Sequence, residues 1–383
     1  MLRFLTCGES HGKMMAAILE GLPNDLTILE EDINVELKRR QLGHGRGERS
    51  KSIEKDKVNI ISGVRWGKTT GAPIGLLVEN IDWKNRKKEM SIYPEDADEN
   101  DVITRPRPGH ADLVGMLKYG IHDAKPILER ASARNTAMLV AVGAICKNFL
   151  KELDVDIIAY VRAIGNVDAG VFERNLLDKN KIEDSPVRCP SKKFSEKMIK
   201  HIDEAKNNGD TLGGKVCIKI TGVIPGLGSH IQYDRRLDAG LSQIMMGIQS
   251  VKNVIIGQDN VYEIYGTDAH DAIYYSDKKG YYHKTNHAGG IEGGMSNGED
   301  INITILLKPI PTLFSPLESI DVLTKEKVKA EVVRSDVSVA SSAVVVAEAM
   351  AAIKLTEFYL AKFGSDSMKE LKSNLKNYKK SLK

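Results

Sequence analysis

Hydrophobic residues recur along the chain with the spacings of both helices and strands. Ile33 and Leu37 lie four residues apart in 30–40, where acidic residues come first and basic residues last, as the helix dipole favours. This pattern predicts an amphipathic helix. Similar spacing predicts further helices over 135–150, 195–207, 237–248 and 343–362, and a Lys-rich solvated helix from residue 367 onward. Apolar runs and alternation predict strands over 57–62, 73–79, 155–161, 215–221, 251–256 and 301–307.

The order of these elements indicates the fold class. Strands and helices alternate irregularly, without the repeated βα unit of a doubly wound sheet, which favours an α+β sandwich. The 383 residues contain no repeat and no Pro- or Ser-rich linker. We therefore expect one large domain over 1–362, followed by a helical tail over 363–383.

Composition excludes several classes of protein. With 55 basic and 52 acidic residues, the formal net charge is only +3, so charge alone does not indicate nucleic-acid binding. The four cysteines are far apart and lack zinc spacing, which predicts reduced thiols in a cytoplasmic protein. No apolar run approaches the length of a membrane span or a signal-peptide core, so we expect a soluble, unprocessed protein.

Two loops place a histidine beside charged or hydroxyl groups. Arg105-Pro-Arg-Pro-Gly-His-Ala-Asp112 holds His110 on a stiff loop, and Gly8-Glu-Ser-His-Gly12 holds His11 next to Ser10 in a Gly-bracketed turn. Because histidine titrates near neutral pH, it can give a proton to a leaving anion. The isolated histidines, among them 201, 230, 270 and 283, are expected to be structural.

Arginines cluster in Gly/Pro loops or at helix starts, where their guanidinium groups can bind carboxylate or phosphate bidentately. Ser132 and Arg134 directly precede the 135–150 helix, whose free amides also favour anions. Asp336 caps a helix or, in a buried arginine-lined site, serves as a base. These features predict a site for a multiply anionic molecule. The arginines concerned are Arg40, Arg46, Arg107, Arg130, Arg134 and Arg334.

Other readings of the motifs are weaker. Gly8-Glu-Ser-His-Gly-Lys and Gly63-Val-Arg-Trp-Gly-Lys have three residues between the glycines, whereas a nucleotide-binding P-loop needs four. RNA binding is disfavoured because aromatic residues make up 5% of the chain and do not interleave with the basic loop. His283 and His287 lack the helix and the adjacent Glu of a zinc site, so no metal is expected. The alternative interpretation of the arginines is that they belong to an ordinary solvated surface, as most runs of charged residues do.

Several longer segments resemble the chorismate synthase family, and the resemblance runs from residue 1 to about 360. Where that family typically has Arg-His-Asp-Pro-Cys-Val, this chain has Arg334-Ser-Asp-Val-Ser-Val339, which retains the arginine and the aspartate. The matching segments are Gly8-Glu-Ser-His-Gly12, Arg39-Arg-Gln, Gly45-Arg-Gly, Arg107-Pro-Gly-His-Ala-Asp112, Lys118-Tyr-Gly, Glu129-Arg-Ala-Ser-Ala-Arg-Asn-Thr-Ala137, Gly209-Asp-Thr-Leu-Gly-Gly214, Asn286-His-Ala-Gly-Gly-Ile-Glu-Gly-Gly294, Ser296-Asn-Gly and Lys308-Pro with Thr312.

The resemblance implies a reaction, a fold and an assembly. The family is a lyase that converts 5-enolpyruvylshikimate 3-phosphate to chorismate by 1,4-elimination of phosphate, using reduced FMN without net redox change. The product feeds aromatic amino acid biosynthesis. The implied fold is a single-domain β-α-β sandwich, usually in a homotetramer. NADPH is implied only if the protein reduces its own flavin, and the lack of a sizeable insertion favours an external flavin reductase.

The resemblance also implies roles for individual residues. His110 would protonate the flavin near N1, His11 would protonate the phosphate, and Asp336 would act with the flavin N5 as the base, with Ser10 and Ser132 completing the relay. Substrate contacts are implied for Ser10, His11, Arg40, Arg46, Arg107, Arg134 and Arg334. Flavin contacts are implied for Arg40, Arg46, His110, Arg130, Ala131, Ser132, Gln249, Ser250, Gly293, Lys308, Pro309, Ile310, Pro311, Thr312 and Arg334.

Overall fold

A computed structural model describes residues 2–46, 56–98, 100–278, 280–333 and 336–382 of the chain. The helices are α1 Glu30–Gln41, α2 Asp112–Tyr119, α3 Lys125–Ala131, α4 Thr136–Lys151, α5 Lys179–Asp184, α6 Lys192–Asn207, α7 Leu237–Met246, α8 Gly266–Ala269, α9 Ala340–Phe363 and α10 Met368–Ser381. The strands are β1 Arg3–Cys7, β2 Met14–Glu20, β3 Val58–Ile60, β4 Val64–Arg65, β5 Lys68–Thr69, β6 Ile74–Glu79, β7 Asp156–Ile164, β8 Val167–Asp168, β9 Gly214–Thr221, β10 Val251–Ile256, β11 Ile273–Ser276, β12 Gly280–His283, β13 Ile291–Glu292, β14 Met295–Ser296, β15 Ile301–Leu307, β16 Glu318–Ile320 and β17 Lys327–Lys329.

Two antiparallel sheets contain the main strands of the fold. One has the order β1-β2-β6-β3, and the other has the order β10-β15-β9-β7-β8. In β9 the residues Val216, Ile218 and Ile220 are fully buried on one face, as their alternation predicts. The remaining strands form two-stranded ribbons, which pair β4 with β5, β11 with β12, β13 with β14 and β16 with β17.

A helical layer separates the two sheets. Helix α4 packs against α9 and α1 and reaches β2 of the first sheet, while α9 packs against β7 and β9 of the second. The two central helices approach closely because their facing residues are small: a Cβ added to Gly143 in α4 would lie 2.3 Å from the Cβ of Ala349 in α9. The structure is therefore the expected α+β fold, a β-α-β sandwich.

Most predicted elements are confirmed, with shifts at their ends. The strands predicted over 251–256 and 301–307 are β10 and β15, and α9 begins three residues before the predicted start at 343. The strand expected over 57–62 ends at Ile60, because the chain turns at Gly63 with a positive φ of 78°. Strands β1 and β2 were not predicted, although they carry the turn that holds His11.

The C-terminal tail is helical as expected, but it is not wholly solvated. In α10 an apolar stripe of Met368, Leu371 and Leu375 is buried, and its polar face carries the lysines. Tyr378 packs edge-on against Phe363 with ring centroids 5.7 Å apart. The separation of the chain into a catalytic domain and a tail stays a prediction. Within the described ranges, no helix is both long and apolar enough to cross a membrane.

Candidate functional site

The turn over 8–12 joins β1 to β2 and presents Ser10 and His11. Gly8 has a φ of 104°, and a Cβ at this position would lie 2.4 Å from the carbonyl oxygen of Met14, so only glycine fits. The backbone N–H of Ser10 donates to the carbonyl oxygen of Glu129 at 3.2 Å, which ties the turn to the end of α3. The position of the turn is therefore set by the hydrogen bond to α3 as well as by the pairing of β1 with β2.

Glu129 also contacts His11 directly with its carboxylate. The backbone N–H of His11 donates to Oε2 at 2.7 Å, and the ring Nδ1 lies 2.6 Å from Oε1. The His11 side chain is 13% exposed and that of Glu129 only 5%. One buried carboxylate thus holds both the backbone and the ring of this histidine.

Ser132 lies where α3 ends and brings a second hydroxyl to the turn. Its Oγ donates to the Oγ of Ser10 at 3.2 Å and accepts from the backbone N–H of Arg134 at 3.2 Å. Arg130, from the same segment, is exposed and binds the carbonyl and hydroxyl oxygens of Thr6 in β1. We call Ser10, His11, Glu129 and Ser132 the His11 cluster.

Arg40 and Arg134 meet at one carboxylate. Arg40 donates to Asp56 Oδ2 at 2.8 Å, and Arg134 contacts Oδ1 and Oδ2 of the same residue at 2.7 and 2.8 Å. The three side chains are only 4%, 3% and 1% exposed. Burial by itself would raise the pKa of Asp56, but the two guanidinium groups outweigh it and the pKa is lowered below its ordinary value.

Asn80 joins this arginine pair to the His11 cluster. Its Oδ1 accepts from Arg134 Nε at 3.0 Å, and its Nδ2 donates to the carbonyl oxygens of Glu9 and Gly12 at 3.1 and 2.7 Å. Because Glu9 and Gly12 flank Ser10 and His11, the buried amide fixes the turn relative to the arginines. We call Arg40, Asp56, Asn80 and Arg134 the arginine cluster.

A further ion pair joins Arg46 to Asp336, the residue expected to act as a base. Arg46 donates to Asp336 Oδ2 at 2.5 Å and to Ser342 Oγ at 3.1 Å. The backbone N–H of Val337 donates to the carbonyl oxygen of Gly45 at 2.8 Å, so the two segments are held together. Arg334, expected to contact substrate and flavin, lies outside the described residues.

His110 belongs to another buried group, with Arg107 and Asp112. The ring Nδ1 of His110 lies 2.5 Å from Asp112 Oδ1, and Arg107 donates to Asp112 Oδ2 from Nε at 2.8 Å and to Thr312 Oγ1 from Nη1 at 2.9 Å. Burial opposes ionisation of Asp112, but hydrogen bonds from His110 and Arg107 outweigh it and hold its pKa well below the usual range. The structure thus brings the predicted His110 and Arg107 together and commits the guanidinium of Arg107 to protein contacts.

The segments expected to contact the flavin adjoin this group. The backbone N–H of Lys308 donates to the carbonyl oxygen of Ser250 at 2.8 Å, and Thr211 Oγ1 donates to the carbonyl oxygen of Ile310 at 2.7 Å. The backbone N–H of Leu212 donates to the carbonyl oxygen of Val337 at 2.9 Å, which connects these segments to the Asp336 region. Residues 308–312 therefore contact the His110 loop through the Arg107–Thr312 and Lys308–Gly109 hydrogen bonds, and Thr211 and Leu212 connect them to the segment that follows Asp336.

Two of the remaining predicted residues have features that suit a bound ring system. The Oε1 of Gln249 is buried and has no hydrogen-bond partner among the described residues. Gly293 lies in the turn between β13 and β14, where an added Cβ would meet no atom within 4 Å. Ala131 ends α3, next to Ser132. In the described part of the chain, no group of three or more metal-ligating side chains is gathered.

Comparison with known proteins decides the family. A sequence model of the family described as chorismate synthase matches residues 2–360. The chain belongs to the chorismate synthase family. It is 49% identical over 379 residues to the chorismate synthase of Syntrophotalea carbinolica, covering 98% of this chain and 97% of that protein. It is 48% identical over 387 residues to the Aquifex aeolicus enzyme, with coverage of 98% and 97%.

A solved structure agrees with this assignment. A crystal structure titled as chorismate synthase has a TM-score of 0.78 and 39% sequence identity to this chain, covering all of it and 98% of the solved chain. The family and the fold implied by the sequence motifs are thereby confirmed. The roles expected for individual residues stay predictions.

Three residues that contact the predicted site residues could not be identified from the sequence. Glu129 stands in a quoted motif, but its spacing gives no sign that it binds His11, 118 residues away. Asp56 follows a basic stretch and shows no motif, and Asn80 directly follows the apolar run of β6 without a motif of its own. Only the arrangement of charged partners in three dimensions identifies them.

Proposed function

We propose that the protein catalyses the elimination of phosphate from 5-enolpyruvylshikimate 3-phosphate to give chorismate, with reduced FMN as a cofactor that is not consumed. Family membership supports the reaction. The observation in this structure that best supports the same reaction here is that Asn80 joins the His11 cluster to the arginine cluster. That arrangement sets a proton donor beside buried guanidinium groups that suit an anionic substrate.

The substrate carries two carboxylates and a phosphate, so several cations are needed to hold it. Arg40 and Arg134 together carry two positive charges against the one negative charge of Asp56, which leaves this cluster net positive for a substrate anion. Arg46 supplies another guanidinium beside Asp336. We assign substrate binding to Arg40, Arg46, Arg107 and Arg134, each of which is held in place by a carboxylate of this chain.

Proton movements are assigned to three groups of this chain. His11 gives a proton to the leaving phosphate, and the hydroxyl groups of Ser10 and Ser132, 3.2 Å apart, complete the path. Asp336 accepts the proton lost from the substrate, and its ion pair with Arg46 orients the carboxylate. His110 holds a proton at the flavin side of the site, where Asp112 fixes its ring.

The residues present fit a bound flavin. The buried Gln249 Oε1 can accept a hydrogen bond from a ring N–H, and the open α-carbon at Gly293 leaves room for a planar group. Together with Ser250, 308–312 and His110, these residues would hold reduced FMN, and Arg130 to Ser132 would adjoin it. When bound, reduced FMN would lend electron density to the substrate transiently, without net oxidation or reduction.

The remaining expectations are part of the same proposal. We propose a monofunctional enzyme that relies on an external flavin reductase, works in the cytoplasm and assembles as a homotetramer. Purified protein with oxidised FMN and NADPH should then show no turnover until a reductase is added. Turnover with NADPH alone would instead show that the protein reduces its own flavin.

An anaerobic assay tests the proposal. Purified protein is mixed with 5-enolpyruvylshikimate 3-phosphate and chemically reduced FMN, and phosphate release is followed together with chorismate absorbance. We expect both products in equal amounts, and only with reduced flavin. Flavin binding without phosphate release would contradict the proposal and indicate another anionic substrate.

A further inference from the structure

We infer that Glu129 is a positioning residue that acts through His11, fixing which ring nitrogen of the histidine exchanges a proton with the substrate. The inference rests on the proposed function, because it concerns the proton assigned to the leaving phosphate. Glu129 lies at the end of α3, whereas His11 lies in the turn between β1 and β2.

The contact has two points. The Oε2 of Glu129 accepts from the backbone N–H of His11 at 2.7 Å, and its Oε1 contacts ring Nδ1 at 2.6 Å. Holding the backbone and the ring from one carboxylate restricts both torsions of the histidine side chain. With Glu129 only 5% exposed, water competes little for either oxygen.

This contact determines the tautomer of the ring. An ionised carboxylate only accepts hydrogen bonds, so the ring must donate from Nδ1. The proton of the neutral ring is therefore on Nδ1, and Nε2 is left as the atom that gains and releases the proton in catalysis. In the serine protease triad, a carboxylate likewise holds the catalytic imidazole in one tautomer and one orientation.

The turn itself does not need the Glu129 carboxylate. Its backbone is already held by the contact of Ser10 N–H with the Glu129 carbonyl oxygen at 3.2 Å. It is held again by the Asn80 amide on Glu9 and Gly12, at 3.1 and 2.7 Å. Neither contact reaches the imidazole. Among the hydrogen bonds of the described residues, the one that reaches the His11 ring comes from the Glu129 side chain.

Glu129→Gln tests this with little change in shape. A glutamine has one acceptor and one donor group, so it cannot accept from both the His11 backbone and the ring. If its oxygen accepts from the backbone, its NH2 faces Nδ1 and forces the neutral ring to carry its proton on Nε2. In ring-15N NMR of histidine-labelled protein, with the His11 signals assigned by their loss in His11→Asn, we expect Nδ1–H in the wild type and Nε2–H in Glu129→Gln.

The kinetic expectation separates positioning from general structural damage. Glu129→Gln should lower kcat by roughly 10²–10⁴-fold, the range for losing a properly oriented acid–base group, while KM for the substrate stays within about threefold. Glu36→Gln is the matched control, because Glu36 is a largely buried, ion-paired carboxylate, 16% exposed, whose partners Arg39 and Lys147 lie outside the site. It should leave kcat and the His11 signals unchanged.

A double-mutant cycle then asks whether Glu129 works through His11. In a His11→Ala background, adding Glu129→Gln should have no further effect on kcat. Multiplicative losses in the two variants would overturn the inference, as would Nε2–H in the wild type or an unchanged tautomer in Glu129→Gln. If Glu129→Gln fails to fold, Glu129→Asp takes its place and should keep Nδ1–H, since it retains an accepting carboxylate.

The two proposals can fail separately. If wild-type protein shows no chorismate synthase turnover, the proposed function is wrong, while the wild-type NMR spectrum still decides whether Glu129 sets the tautomer. If turnover is normal but the wild-type ring carries its proton on Nε2, the inference about Glu129 is wrong and the proposed function stands.

Discussion

Replacing Asp56 by asparagine should destabilise the protein, because this carboxylate neutralises two buried arginines. Arg40 and Arg134 are 4% and 3% exposed and both bind its oxygens within 2.8 Å. Removing one partner from a buried ionic group costs about 3–5 kcal/mol, since the remaining buried charges lose the opposite charge that faced them. Asparagine keeps one accepting oxygen, so we expect the lower part of this range.

The stability loss converts into a measurable melting shift. For 383 residues the entropy of unfolding is about 0.8 kcal/mol/K, so a loss of about 3–5 kcal/mol lowers Tm by about 4–6 °C. Thermal unfolding is followed by calorimetry at pH 7 and at one protein concentration. Glu20→Gln is the control, because the Arg3–Glu20 pair is exposed and should shift Tm by less than about 1 °C.

The pH dependence gives the prediction a second test. Since the pKa of Asp56 is lowered in the folded protein, its carboxylate stabilises the fold above its ordinary pKa, and this stabilisation is lost as the pH falls through the folded-state value. The difference in Tm between wild type and Asp56→Asn should therefore shrink in acid. Inorganic phosphate should also raise Tm more in the variant, as its arginines are less neutralised. A variant that melts within 1 °C of the wild type at pH 7 would refute the reasoning.

Three further changes have defined outcomes. Gly143→Ala should lower the free energy of unfolding by about 1–3 kcal/mol, since the added methyl group would overlap α9; an unchanged denaturation midpoint would contradict the close packing of these helices. Asp112→Asn should weaken flavin binding, measured by fluorescence titration, because Arg107 and His110 lose the carboxylate that orients both; unchanged affinity and turnover would argue against that role. Asp336→Asn should abolish turnover in the anaerobic assay while flavin binding persists, and substantial remaining activity would exclude it as the base.

Much of the secondary structure follows from local pattern. The 251–256 and 301–307 strands and the long helices α4 and α9 are visible in the sequence because each element repeats apolar residues with its own period. Strands β1 and β2 are not, since the polar Gly-Glu-Ser-His-Gly-Lys segment interrupts the apolar pattern between them. The turn between these strands was nevertheless predicted to be functional, because it places Ser10 and His11 between two glycines.

The sequence by itself determined the family, the irregular α+β order and the main chemistry-bearing residues, because these depend on long motifs and local periods. Tertiary structure alone decided the partners. It showed that Glu129 holds His11, that Asp56 bridges Arg40 and Arg134, and that Arg107 is bound by its own loop. The partners of a charged side chain depend on distance and burial, which are set only when the helices and sheets pack. Residues 118 positions apart, as His11 and Glu129, or 290 positions apart, as Arg46 and Asp336, then share a hydrogen bond.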